Sequence, residues 1–355
     1  MTPQEQFLKT YLDTCAPTGF EMPGQKVWLN YLKPYIDEFH IDNYGTAYGV
    51  INPGQNYRVV IEAHADEISW FVNFISDDGY LSVIRNGGSD AAIAPSMRVN
   101  LHTPSGMVKG VFGWPAIHVR QTPETDPKPS LDNIFIDVGA ASKAEVLQMG
   151  INIGTVATFE DDFMFFNNHW YVGRALDNRM GGYCIAEVAR KLSENNIKLP
   201  YSLYIVNAVQ EEVGLRGAEM ITRTINPHVA LITDVTHDTS TPLMAPKKQG
   251  DIKCGKGPAL TYGPAVHNKL LDLIIEAANQ NAIPYQRRAV SRSTGTDTDA
   301  FAYSMAGCPS ALISLPLKYM HTTVETCHKL DVENVVELIY QTLLKIENNH
   351  NFKYF

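Results

Sequence analysis

Apolar positions in the second half of the chain follow two alternating patterns. Short, nearly continuous apolar runs at residues 201–208 and 310–315 predict buried strands. Next to such runs, apolar residues recur every three or four positions at 178–194, 268–281 and 331–346, a spacing that predicts amphipathic helices. Because alternating strands and helices pack as a mostly parallel sheet with helices on both faces, the pattern predicts an α/β fold.

A different pattern interrupts this one between about residues 71 and 163. Short β-rich runs, such as 80–84 and 107–112, alternate there with turns that contain glycine and aspartate. Such a stretch predicts a small β-rich domain inserted into a larger one. We therefore expect residues 1–70 and 164–355 to form one α/β domain and residues 71–163 to form the insertion. The length of 355 residues fits two domains, because one domain typically has roughly 100–200 residues.

Composition and charge exclude several classes of function. The chain carries 38 acidic and 29 basic residues, a net charge of −9, and no basic stripe, so we expect no nucleic-acid partner. Its apolar runs are far shorter than the roughly 20 residues that span a bilayer, and its N-terminus lacks the pattern of a signal peptide, so we expect no membrane association. The five cysteines are scattered and form no Cys-x-x-Cys motif, which favours a reducing, cytoplasmic location.

Side chains that bind metals or transfer protons cluster just after the predicted strands. In open α/β sheets this is the edge at which ligands bind, because the carboxyl ends of parallel strands meet there. One further carboxylate precedes the helix at 178–194. Together these candidates are His64, Asp66, Asp177, Glu211, Glu212, Asp234 and His321.

Each candidate taken alone also fits a structural role. A histidine at a strand end, such as His64, is often simply satisfied by hydrogen bonds. Asp177 is as well suited to cap the following helix as to bind a ligand. Glu211 and Glu212 are more informative, because two adjacent carboxylates after an apolar strand are costly to bury without a compensating positive charge.

Taken together, imidazoles and carboxylates at one sheet edge favour a metal site. Mixed sets of this kind suit zinc, cobalt or manganese, and two ions about 3.5–4 Å apart need a bridging carboxylate with terminal ligands on each side. A glycosidase requires two carboxyl groups that face each other about 5–9.5 Å apart, whereas adjacent residues of an extended chain point to opposite sides. The motifs of serine hydrolases and of nucleotide-binding loops do not occur.

The order and spacing of the motifs resemble family 42 metallo-aminopeptidases, which include the tetrahedral, deblocking and glutamyl aminopeptidases. The resemblance covers essentially the whole chain. It implies a zinc-peptidase-like catalytic domain interrupted by a small β-barrel-like oligomerisation domain. The matching segments are His64-Ala-Asp66, Ala175-Leu-Asp-Asn-Arg179, Gln210-Glu-Glu-Val-Gly214, Thr233-Asp234-Val235, Gly255-Lys-Gly-Pro258, Gly295-Thr-Asp297 and Tyr319-Met-His321.

Carried over by matching motif, the resemblance implies two divalent metal ions per subunit. Asp177 would bridge the two ions. His64 and Asp234 would complete one metal site, and Glu212 and His321 would complete the other. Zinc or cobalt is the expected metal, with manganese as the alternative.

The resemblance also implies roles for the remaining candidates. Glu211 would be the general base, and Asp66 would orient the imidazole of His64. The expected activity is removal of N-terminal residues from peptides by a homo-oligomer, with a tetrahedral dodecamer as one such assembly. The same site used as a deacylase or a carboxypeptidase remains an alternative, as does a non-catalytic assembly scaffold. A scaffold would be indicated by a missing ligand residue, and each expected ligand is present.

Overall fold

The computed structural model describes residues 1–120, 122 and 126–355. Residues 121 and 123–125, which fall within the predicted insertion, lie outside the described residues. The described chain separates into two compact units.

One unit, called the larger unit below, carries both termini. It comprises Met1–Glu67, Phe163–Met320 and Val324–Phe355. The second, called the barrel unit, comprises Ile68–Asp162 together with the short segment His321–Thr323. The catalytic and oligomerisation roles expected for the two segments of the chain stay predictions at this stage.

Helices and strands alternate along most of the chain. The helices are α1 (Pro3–Asp13), α2 (Met22–Leu32), α3 (Lys143–Gln148), α4 (Leu176–Glu194), α5 (Arg216–Ile225), α6 (Pro246–Gln249), α7 (Asn268–Gln280), α8 (Thr298–Ala302) and α9 (Lys329–Lys345). The strands are β1 (Glu38–Ile41), β2 (Ala47–Ile51), β3 (Arg58–His64), β4 (Ser69–Ile75), β5 (Leu81–Asn86), β6 (Arg98–Thr103), β7 (Gly106–Phe112), β8 (Ile136–Asp137), β9 (Val156–Phe159), β10 (Met164–Phe166), β11 (Trp170–Gly173), β12 (Ser202–Ala208), β13 (Val229–His237), β14 (Ala259–Tyr262), β15 (Gln286–Ala289), β16 (Ser310–Leu317) and β17 (Glu325–His328).

An eight-stranded sheet forms the centre of the larger unit. Its strand order is β1-β2-β12-β3-β13-β16-β14-β15, and the four central strands β12, β3, β13 and β16 run parallel. Nearly every residue of β3, β13 and β16 is buried. Because successive side chains point to opposite faces, burial of both sets means that both faces are covered. Helices α4, α7 and α9 pack on these strands. The predicted α/β fold with a mostly parallel sheet is confirmed.

A second, small sheet completes the larger unit. Its three antiparallel strands follow the order β10-β11-β17, and the register of β11 and β17 places Gly173 opposite Glu325. This pairing brings the chain just before α4 beside the chain that leads into α9. The start of α4, which carries Asp177, is thereby held next to Glu325.

The barrel unit is a closed antiparallel barrel of six strands in the order β4-β5-β8-β7-β6-β9. Its interior is filled by apolar side chains, with the indole of Trp70 packed edge-on against the rings of Phe112 and Phe159. Closure leaves no unpaired sheet edge, which removes a common route to aggregation. The β-rich insertion expected from the sequence is therefore confirmed as a barrel. In the described part of the chain, no helix has the length and apolar character needed to cross a membrane.

Candidate active site

The parallel register of the central sheet brings the candidate residues to one edge. His64 is the last residue of β3 and is aligned with Ala208, the last residue of β12. On the other side of β3, Glu62 is aligned with Ile232 of β13. Asp234 lies two residues further along β13, so it reaches the level of His64. The strands therefore place the imidazole of His64 and the carboxylate of Asp234 at the same level of the sheet.

Three carboxylates surround one nitrogen of the buried imidazole of His64. The Nε2 atom lies 3.2 Å from Oδ1 of Asp177, 3.8 Å from Oε2 of Glu211 and 3.9 Å from Oδ1 of Asp234. Asp177 comes from the start of α4, Glu211 from the loop after β12, and Asp234 from β13. Three separate segments of the chain thus converge on one histidine.

One group of these side chains has the geometry of a metal site. Ligand atoms of His64, Asp177 and Glu212 all lie within 4.8 Å of one another. One imidazole and two carboxylates form a donor set that suits zinc, cobalt or manganese. The crowded carboxylates also need a compensating cation, because buried like charges repel. The residues present therefore fit a divalent metal ion.

Asp66 connects the imidazole to the loop that carries the two glutamates. Its Oδ1 lies 3.3 Å from Nδ1 of His64. The same carboxylate accepts hydrogen bonds from the backbone amides of Glu211, at 3.0 Å, and Glu212, at 3.2 Å. A carboxylate on Nδ1 fixes the tautomer that leaves Nε2 free to bind a metal. Asp66 is thus placed to orient three neighbours at once.

Electrostatics in this cluster disfavour the charged form of the carboxylates. Burial, with the nearby Asp234 adding to it, raises the pKa of Glu211 to about 10 although His64 opposes the shift. Burial likewise raises the pKa of Asp234 to about 7. For His64, burial lowers the pKa, but the hydrogen-bonded carboxylates of Asp177 and Asp66 outweigh it and raise the pKa well above its usual value. A bound cation would offset the repulsion among these buried carboxylates and favour their charged forms.

Backbone contacts fix the start of α4 around Asp177. The amide of Asp177 donates a hydrogen bond of 3.1 Å to Oε2 of Glu325. The side-chain amide of Asn178 donates to the carbonyl oxygen of Thr233, at 2.8 Å, which ties this turn to β13. Asp177 and Asn178 depart from helical backbone angles. The Oδ1 atom of Asn178 accepts a hydrogen bond of 3.2 Å from the amide of Gly181, so Asn178 caps the turn that follows.

Two buried carboxyl groups were missed as site residues. Glu62 lies on β3 two positions before His64, hence on the same face, and its carboxyl interacts electrostatically with that of Asp297. Both side chains are buried, and burial raises the pKa of Glu62 to about 8 and that of Asp297 well above its usual value. A glutamate inside the apolar run of β3 was the available signal for the first. Asp297 belongs to one of the matching motifs but was given no role.

The remaining expected ligand, His321, lies in the barrel unit. It belongs to the segment His321–Thr323, and its imidazole packs over Gly88, where an added Cβ would lie 2.5 Å from Nδ1. Its expected role as a metal ligand stays a prediction. The other six expected site residues all lie in the larger unit.

A parallel sheet with an imidazole and several carboxylates at the carboxyl ends of its strands is the arrangement of a metal-dependent hydrolase. The sequence matches the M42 glutamyl aminopeptidase family over residues 45–338, and the chain belongs to that family. It is a peptidase that hydrolyses N-terminal residues from peptides, as the resemblance implied.

Individual relatives support the same family over nearly the whole chain. The lysyl aminopeptidase of Pyrococcus furiosus is 33% identical, with 94% of each chain covered. The crystal structure of a TET aminopeptidase from a marine sediment archaeon of the Thaumarchaeota aligns with a TM-score of 0.92 and 30% identity, covering 97% of each chain. The TET1 peptidase of Pyrococcus horikoshii aligns with a TM-score of 0.84 and 27% identity, covering 97% of this chain and 100% of that one. The latter protein assembles into a tetrahedron or a large octahedral shell.

Proposed function

We propose that the chain is an aminopeptidase with two divalent metal ions per subunit and with Glu211 as general base. The observation that carries the proposal is the group of His64, Asp177 and Glu212, whose ligand atoms lie within 4.8 Å of one another, with Asp234 3.9 Å from the same imidazole. On the family resemblance, Asp177, at the start of α4, would be the ligand shared by the two ions.

The remaining ligands divide between the two ions. His64 and Asp234 would hold one, and Glu212 with His321 the other; for His321 the assignment rests on the family resemblance. When bound, such ions supply Lewis acidity toward the scissile carbonyl and lower the pKa of water. Zinc or cobalt is the proposed metal, with manganese as the alternative.

Glu211 carries the proton transfer in this proposal. Its carboxylate is 3.8 Å from His64, and its backbone amide is held by Asp66. From this position it would accept a proton from the attacking water and donate it to the leaving amine, as a general base and then a general acid.

Metal stoichiometry tests the proposal directly. The purified protein should contain about two divalent ions per chain and lose activity toward aminoacyl anilides on chelation, with recovery after reloading with zinc, cobalt or manganese. Asp177→Asn should remove both ions, whereas Asp272→Asn, a change at an exposed position of α7, should remove neither. A single tightly bound ion that survives in Asp177→Asn would show that the bridged site is wrong.

We also propose that residues 71–163 serve oligomer formation and that residues 1–70 and 164–355 form the catalytic domain. The outer surface of the barrel exposes large apolar side chains, with Phe74 56% and Met107 60% exposed. Exposed apolar patches commonly mark protein interfaces. By analogy with the TET1 relative, the partner would be further copies of the chain, assembled as a homo-oligomer such as a tetrahedral dodecamer. The proposed location is the cytoplasm, with peptides as substrates.

Size measurement by light scattering tests this role. Phe74→Ser combined with Met107→Ser should reduce the mass of the assembly. The matched change Leu344→Ser, at a 42% exposed position of α9, should leave the mass unchanged. An unaltered assembly in the double variant would contradict the oligomerisation role.

A further inference from the structure

The loop between α1 and α2 is attached to the residue that follows Asp66. We call its residues 16–21 the N-terminal strap. The amide of Thr18 donates to the carbonyl oxygen of Glu67, at 3.0 Å, and the amide of Glu67 donates to the carbonyl oxygen of Ala16, at 3.1 Å. The amide of Ala16 in turn donates to Oε1 of the Glu67 side chain, at 2.6 Å. The strap is therefore fixed alongside the Asp66–Glu67 segment by backbone hydrogen bonds.

Buried ion pairs fix the position of Glu67, the residue to which the strap is attached. The carboxylate of Glu67 forms an ion pair with Arg174 and lies 3.4 Å from Nη1 of Arg179. All three side chains are buried. A buried charge held by several partners has few alternative positions, because any displacement leaves a group without a partner. Glu67 is thus a fixed point of attachment for the strap.

The strap places one hydroxyl group against the site. Oγ1 of Thr18 donates a hydrogen bond of 2.9 Å to Oδ2 of Asp66, and both residues are almost completely buried. The same carboxylate contacts Nδ1 of His64 and accepts the amides of Glu211 and Glu212. Thr18 approaches this carboxylate from outside the loops that carry the proposed ligands and base.

We propose that Thr18 is a positioning residue for the metal centre, an inference that rests on the proposed function. By holding Oδ2, the hydroxyl fixes the rotation of the Asp66 carboxylate and directs Oδ1 toward His64. His64 then keeps the tautomer that presents Nε2 to a metal, and the loop of the two glutamates keeps its register. Partners of this kind behind a ligating histidine typically change metal affinity 10–100-fold when removed.

A purely structural role is the competing explanation for the same hydroxyl. Oγ1 of Thr18 also lies 3.2 Å from the carbonyl oxygen of Glu67, so it contributes to the attachment of the strap itself. Loss of the hydroxyl would then lower stability without acting through Asp66. The two explanations differ in whether the effect on metal binding depends on the carboxylate.

The experiment measures zinc affinity by competition with a chromophoric chelator, in the full-length protein with and without Asp66→Asn. Thr18→Val keeps the shape but removes the hydroxyl, so zinc affinity should fall about 10-fold. Thr18→Ser keeps the hydroxyl and should bind zinc within about 2-fold of the parent, since its hydrogen bond is retained. In the Asp66→Asn background, Thr18→Val should cause no further loss, because the residue acts through the carboxylate.

Thermal unfolding of each variant separates metal binding from folding. If Thr18→Val proves too unstable to assay, Thr18→Ala, compared with Thr18→Ser, gives the same contrast between loss and retention of the hydroxyl. Zinc affinity that is unchanged without the hydroxyl would overturn the inference, as would an equal loss in both backgrounds. Failure of the unmodified protein to bind zinc, cobalt or manganese would instead refute the proposed function, so the two failures are distinguishable.

Discussion

The carboxyl edge of the central sheet and the interior of the barrel are built from opposite kinds of residue. At the sheet edge, Glu62, His64, Asp66 and Asp234 are all buried. The barrel core consists of apolar side chains packed around Trp70. Burying an apolar side chain stabilises a fold by about 1.5–3 kcal/mol, whereas burying a charge destabilises it unless the charge is paired. Burial of side chains therefore stabilises the barrel core. At the sheet edge, burial of titratable side chains destabilises the fold but places reactive groups together.

The strongest contrast should come from the proposed general base. Glu211→Gln keeps the shape of the side chain and both metal ions but should reduce the turnover number about 10²–10⁴-fold. The variant should unfold at the same temperature as the parent or slightly higher, because one buried like charge is removed. Turnover, metal content and thermal unfolding measured together check this outcome.

The neighbouring glutamate provides the matched control for that variant. Glu212→Gln should lose metal occupancy, because a neutral amide is a poor ligand for a dication, and excess metal should partly restore its activity. Loss of an ion from Glu211→Gln but not from Glu212→Gln would mean that the two roles are reversed.

In the barrel, truncation of a core side chain should affect stability. Phe112 is buried and packs against Trp70 and Phe159. Phe112→Ala should lower the free energy of unfolding of the barrel by about 3–5 kcal/mol, measured by denaturant titration. Asp78→Asn, a change at an exposed turn position of the barrel unit, should stay within about 0.5 kcal/mol. Similar values for both variants would show that the barrel lacks a close-packed core.

The Glu62 carboxyl should make the stability of the metal-free larger unit depend on pH. Burial raises its pKa from an ordinary value of 4.5 to about 8 in the folded protein. Between these values the folded state keeps a proton that the unfolded state releases. The contribution of Glu62 to stability is therefore greatest below pH 4.5 and is lost as the pH rises to about 8. Glu62→Gln should remove this pH dependence, which amounts to roughly 5 kcal/mol at 1.36 kcal/mol per pKa unit. Parallel pH–stability curves for the variant and the parent would contradict the assignment.

Removal of a helix-capping side chain should lower stability by a similar amount in the larger unit and in the barrel unit. These should be the smallest of the expected effects. The hydroxyl of Thr2 accepts the amide of Glu5 at the start of α1, and Ser142 accepts the amide of Glu145 at the start of α3. Thr2→Ala and Ser142→Ala should each lower stability by about 0.5–2 kcal/mol. Urea titration checks the values. A large difference between the two would show that even local contacts depend on the region around them.

Most of the central sheet could be predicted because its strands are buried on both faces. The segments that became β12 and β16 are continuous apolar runs, which few other structures would bury. Strand β1 was not predicted, since its four residues are all exposed and show no alternation. Helix α5 was also missed, because it begins after Leu215 without a capping side chain. Exposed or uncapped elements depend on tertiary contacts that a sequence pattern does not contain.

The candidate site could likewise be predicted from the sequence only in part. The proximity of six expected residues could be predicted from the sequence, because parallel strands end at a common edge. The pairing of Glu62 with Asp297 could not, since it joins β3 to the segment preceding α8 and depends on how these segments pack. The role of Thr18 could not be predicted either, because its contact with Asp66 follows from the attachment of its loop to Glu67.

The chain order of the strands has a consequence for synthesis on the ribosome. All six barrel strands lie within residues 69–159, so they emerge as one contiguous segment. The central sheet instead needs β16, at Ser310–Leu317, between β13 and β14. Because translation proceeds at roughly 5–20 residues per second, the barrel strands are available several seconds before β16. We therefore expect the barrel of the nascent chain to close early. The first three strands of the sheet remain incompletely paired until the later strands have been synthesised.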